Sequence, residues 1–113
     1  VGDSSTGHED CSKAFKHVTG NFPTIAMCHN PDSANRMPEG LAAVFAGHTH
    51  SHQFGILGFK PPVFKCPDKD LGYGLQERNG NPVIINSGIG TSAIPYRNIP
   101  PEIVVCAIGP ALT

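Results

Sequence analysis

Three histidines carry the first chemical signal in this chain. His48 and His50 stand one residue apart in Gly47-His48-Thr49-His50, directly after the apolar run 41–46, and His29 follows a second apolar run, 23–28. In an extended segment residues i and i+2 point the same way, so His48 and His50 can both face one cleft. His29 can join them if its strand neighbours theirs. Neutral imidazole is a borderline metal ligand suited to Zn, Mn, Fe or Ni. Gly47 ahead of the pair lets the backbone approach closely. The same residues also fit a plainer role as hydrogen-bonded surface or core histidines. His52 continues the alternation but fits a solvent-facing loop equally well, and His8 and His17 read as solvated.

Nucleophilic chemistry has less to stand on. Cys28 directly precedes His29, but neighbours on a strand point to opposite faces. No Gly-x-Ser-x-Gly is present. The Gly-rich stretch 87–92 lacks the Lys of a phosphate-binding P-loop and no helix follows it, so it reads as a tight turn. Arg97 can meet a phosphate bidentately or pair with Glu102.

The elements that would position these groups are short. Cys11, Ala14, Phe15 and Val18 lie at i, i+3, i+4 and i+7, which predicts a helix over 8–18 stopped by Gly20. The runs 23–28 and 41–46 lack alternation and read as strands buried on both faces. Segment 73–78, the Asn79-Gly80 turn and segment 81–86 make a hairpin. Segment 102–108 reads as a final strand. The expectation is a strand-rich α/β (α+β) chain with one clear helix and polar loops at the strand ends.

Composition agrees and narrows the partners. The chain has 113 residues, with 13 Gly and 11 Pro, about a fifth of the total, and a net charge of −1. That charge offers no patch to hold nucleic acid, and no stretch nears the ~20 apolar residues of a membrane span. Cys11, Cys28, Cys66 and Cys106 show no zinc-site spacing. Cys28 and Cys106 lie in apolar runs and read as small buried hydrophobes, which favours reduced thiols and a cytoplasmic setting. Val1 in place of Met reads as a chain processed, excised or truncated at its N-terminus.

Taken together, Met27-Cys28-His29-Asn30-Pro31-Asp32, Ala46-Gly47-His48-Thr49-His50, Gln53 and the 87–92 stretch with Pro95, Arg97 and Pro101-Glu102-Ile103 resemble the calcineurin-like metallophosphoesterases. The bacterial branch of YkuE-type and YaeI-type phosphodiesterases is the most similar part of that family. The resemblance runs from about Gly2 to Ile108. It implies part of a four-layer αββα sandwich, a two-metal centre at strand ends, and hydrolysis of a phosphomonoester or phosphodiester. By carry-over His29 and His48 would bind one divalent ion and His50 the other, with Asn30 and Arg97 at the substrate.

The departures matter as much. The family's earlier Asp-x-His, its Gly-Asp with the bridging carboxylate, and its Gly-Asn-His-Asp are absent. Gly2-Asp3 does not replace the bridging Asp, because it precedes the helix that leads to His29. The usual Gly-Gly before Gln53 is Ser51-His52, which places His52 near the site or its entrance. Residues 1–113 thus resemble the C-terminal segment of such a domain. Three histidines without a bridging carboxylate cannot offset the repulsion of two adjacent divalent ions, and at best make one weak site. Three readings follow: a phosphoesterase segment impaired on its own, completed by a missing N-terminal half or by a homo-oligomer; an inactive metal-binding or scaffold domain; or a compact single-metal hydrolase using all three histidines.

Overall fold

The computed structural model describes residues 1–50, 68–91 and 95–110. Four strands form one mixed sheet in the order β1-β2-β4-β3, with β1 at Ile25–Met27, β2 at Ala43–Ala46, β3 at Gly74–Arg78 and β4 at Asn81–Ile85. β1 and β4 flank β2 in parallel, and β3 runs antiparallel to β4. The mixed α/β class is therefore as the sequence predicts, with a single sheet among the described residues.

Among the described residues, one face of the sheet is covered and the other is not. Ala26, Val44, Ala46, Val83 and Ile85 lie buried under Ala34, Met37, Leu41 and Leu71. On the opposite face Met27, Phe45, Ile84 and Leu75 share a row by strand register, and Met27 and Leu75 are each 71% exposed. β1 is thus buried on one face only, against the expectation of two.

The hairpin forms as predicted. Asn79 and Gly80 both take positive φ, 52° and 69°, which the right-handed twist of a two-residue turn demands. The amide of Asn79 also donates to the Met37 carbonyl at 3.0 Å, and buried Asn81 accepts from Leu41 N–H at 2.9 Å while donating to the Pro38 carbonyl at 2.8 Å. Polar side chains thereby fasten the hairpin to the segment entering β2.

Two expected elements change. The helix α1 spans only Cys11–Phe15, capped by Asp10, whose carboxylate accepts from Lys13 N–H at 2.8 Å. Only Cys11 and Phe15 reach the core, and with Ala14 and Val18 exposed the last turn gains no packing to hold it. Among the described residues segment 102–108 pairs with no strand: Ile103 and Val105 are 82% and 91% exposed. Cys106 is exposed with them, not buried, and Cys11, Cys28 and Cys106 are all free thiols. A six-residue 3-10 helix at Pro31–Arg36, unforeseen in the sequence, links β1 to β2. Among the described residues no helix is long and apolar enough to cross a membrane.

Candidate functional site

β1, β2 and β4 are parallel, so their C-terminal ends open on one edge of the sheet, where loops on a rigid scaffold collect functional groups. The β1–β2 ladder continues past both strands. Cys28 N–H donates to the Phe45 carbonyl and Gly47 N–H to the His29 carbonyl, each at 3.0 Å. That register sets His29 beside His48.

The two imidazoles meet. His29 Nε2 lies 3.0 Å from His48 Nδ1, and the rings cross at 65° with centroids 4.8 Å apart. His29 is exposed and His48 half-buried. Two nitrogens each about 2.0–2.1 Å from one ion, at bond angles of about 90–110°, stand roughly 2.9–3.4 Å apart. The observed spacing fits two neighbouring ligands of one divalent cation. It equally fits a hydrogen bond between the rings, in which one nitrogen keeps its proton and the other accepts.

The backbone beyond β2 departs from the extended run expected. His48 and His50 both adopt left-handed conformations, with φ of 64° and 49°. Such values are uncommon outside glycine and cluster where surroundings hold a residue for a purpose. Between them buried Thr49 donates its hydroxyl to the Gly72 carbonyl at 2.6 Å, pinning the turn. The alternation that would align His48 with His50 is thereby broken. No group of three or more His, Cys, Asp or Glu side chains that could hold a metal ion forms among the described residues, so His50 does not close a cluster with the pair. Gly47 is not at a close approach either: a Cβ there would sit 3.9 Å from the Asn86 carbonyl oxygen, an ordinary contact. His52, Gln53, Cys66 and Ser92 lie outside the described residues.

Asn30 and Arg97 are placed by loop bonds. Asn30 is buried, and its Oδ1 caps the Pro31–Arg36 helix by accepting from Asp32 N–H at 3.1 Å. Arg97 donates to the backbone carbonyls of Ile99 and Gly90, both at 2.6 Å, and of Ser87 at 2.9 Å. Glu102 is not its hydrogen-bond partner; that carboxylate accepts from Ser87 N–H at 3.0 Å and Tyr73 O–H at 2.8 Å. A substrate contact by either side chain would compete with these bonds. The Arg97 and Glu102 bonds together clamp the loop after β4.

One residue set aside in the sequence enters here. Asp3 is half-buried, and its carboxyl is held below its ordinary value. Burial acts in the opposite direction, but hydrogen bonds from Ser5 and the fields of His29 and His48 outweigh it. Sequence order, with Asp3 before α1, gives no sign that the two histidines act on it. Cys28, by contrast, is chemically quiet: burial pushes its thiol up to about 11.

The chain is similar to an uncharacterized metallophosphoesterase of Bacillus subtilis (strain 168), YkuE, with 24% identity over 105 residues. The match takes in 91% of this chain and 37% of that protein, so the chain spans little more than a third of its relative's length. The likeness supports the metallophosphoesterase family and singles out no branch. No family model and no solved structure matches the chain.

Proposed function

We propose that the chain is a segment of a metal-dependent phosphoesterase in which His29 and His48 hold one divalent cation. The contact that carries this reading is the 3.0 Å approach of His29 Nε2 to His48 Nδ1 at the ends of two parallel strands. The likeness to a metallophosphoesterase supports it, and so does the uncovered apolar face of the sheet, where the remainder of a longer sandwich would pack. In this reading His50 serves a second ion in the intact protein.

A divalent ion bound there would polarise a phosphoryl oxygen and activate water near neutral pH, opening hydrolysis of phosphomonoesters or phosphodiesters. For both facing nitrogens to act as ligands, the ring protons must sit on His29 Nδ1 and His48 Nε2. The exposure of His29 leaves the pair open to substrate from solvent. With two ligands of one ion and no bridging carboxylate, the chain by itself would turn over only slowly.

Elution with one Mn, Zn or Ni ion per chain, together with slow hydrolysis of a chromogenic phosphodiester that His48→Ala abolishes, is the expected result. A chain that binds no divalent ion overturns the reading. A chain that binds the ion through His29 and His48 but never turns over, even joined to its relative's missing portion, favours a scaffold domain. The absence of a three-ligand group among the described residues is the observation on that side.

A further inference from the structure

We propose that Glu102 is a latch: its ionised carboxylate fastens segment 95–110 to the sheet, and protonating it in acid lets the segment come away.

Packing does not hold this segment. No residue of 95–110 is buried, and only Arg97, Ile99 and Glu102 are half-buried. Its apolar side chains lie open to solvent, Ile103 and Val105 most of all. None of them joins the cluster around Val44 and Ile85. A segment with so little buried apolar surface has mainly its polar bonds to resist local opening.

Glu102 makes the bonds that reach two strands at once. One carboxylate oxygen accepts from the Tyr73 hydroxyl at 2.8 Å, just before β3, and the other from Ser87 N–H at 3.0 Å, just after β4. Its own N–H donates to the Gly88 carbonyl at 3.0 Å. β3 and β4 pair with Gly74 opposite Ile85, so Tyr73 and Ser87 stand at the open end of the hairpin, and one side chain bridges them. Arg97, from the same segment, donates to the Ser87 carbonyl at 2.9 Å and the Gly90 carbonyl at 2.6 Å. Ser87 is thus gripped at both its N–H and its carbonyl. Its neighbour Asn86 donates its N–H to the Ala46 carbonyl at 3.0 Å, which ties the grip to β2.

The charge on the carboxylate makes the latch switchable. Hydrogen bonds to an ionised acceptor are roughly twice as strong as neutral ones, and a protonated carboxyl turns one accepting oxygen into a donor. Among the described residues, the titratable and charged groups facing Glu102 are Tyr73, from the entrance to β3, and Arg97, from its own segment. Residues 86–91, on the side of β4, bring no charge. The bonds from Ser87 and Tyr73 hold the Glu102 carboxyl below its ordinary value. Its contribution is therefore present above the unfolded value of ~4.3 and lost as pH falls through the folded one.

Trypsin cleavage after Arg97 in the whole chain at neutral pH, followed by mass spectrometry, reads release of the segment. Cleavage after Arg36 controls for general unfolding. Glu102→Ala should speed cleavage after Arg97 roughly tenfold and leave that after Arg36 unchanged. Tyr73→Phe, which removes one of the bonds, should speed it less. The Ser87 amide proton, followed by NMR from neutral to acid pH, should titrate with a midpoint below ~4.3, and Tyr73→Phe should raise that midpoint. Equal cleavage after Arg97 in wild type and Glu102→Ala, or a Ser87 amide that does not respond to acid, overturns the latch. Should Glu102→Ala also speed cleavage after Arg36, Tyr73→Phe decides: faster cleavage after Arg97 alone supports the latch, and wild-type rates overturn it.

Discussion

His29 and His48 show how a side chain's type can be legible while its placement is not. Both follow apolar runs, and the sequence marks them as strand-end histidines able to share a ligand. The left-handed backbone at His48 and His50 carries no such mark, and it breaks the alternation that would align the two. Asn30 and Arg97 stood out as polar groups in loops, but their partners are mostly backbone atoms, which no residue pattern announces. The cysteines illustrate the same limit: apolar neighbours imply burial for both Cys28 and Cys106, and tertiary packing half-buries the first and leaves the second exposed. Their reactivity should diverge accordingly. With a thiol-specific reagent at pH 8, Cys106→Ser should remove a fast-reacting thiol, whereas Cys28→Ser should leave the fast phase intact, since a thiol near 11 is almost wholly protonated there. A fast phase lost with Cys28 would contradict its burial.

Among the elements, the hairpin was fully legible because Asn-Gly and β propensity agree on it. The helix was legible in kind but not in length, since periodicity cannot say which apolar positions find a core to pack on. The Pro31–Arg36 helix has no mark in the apolar pattern, since its Asn30-Pro31 start suits a turn as well as a helix cap. What holds these pieces together is partly ionic. Asp68 accepts from Arg78 Nε at 3.0 Å and Nη2 at 2.9 Å, while Asn35 donates to it at 3.2 Å. The Arg78 bond is the foremost reason its carboxyl lies below the ordinary value, against a smaller opposing effect of burial. A carboxyl lowered on folding contributes stability above its unfolded value and loses it as pH falls through the folded one. The melting point should therefore fall as pH drops below ~4, and Asp68→Asn should flatten that part of the profile. An unchanged acid limb would show that the pair contributes nothing to folding.

At the scale of the molecule, the sheet is a layer with one packed face. Its buried side closes around Leu71, Val44, Val83 and Ile85, all 1% exposed or less. Leu71→Ala should cost about 2–5 kcal/mol, by the loss of a filled core position, measured by urea unfolding. Leu75→Lys, on the open face, should stay within about 0.5 kcal/mol of the original chain. Equal costs at the two positions would mean that the open face is covered in solution.

The account turns on the histidine pair as a cation site. The direct measurement is long-range proton–nitrogen NMR of the imidazoles during addition of zinc. The account predicts coordination shifts at His29 Nε2 and His48 Nδ1, saturating at one ion per chain and lost on His29→Ala. Imidazole nitrogens that do not move with zinc, or movement confined to other histidines, would contradict it.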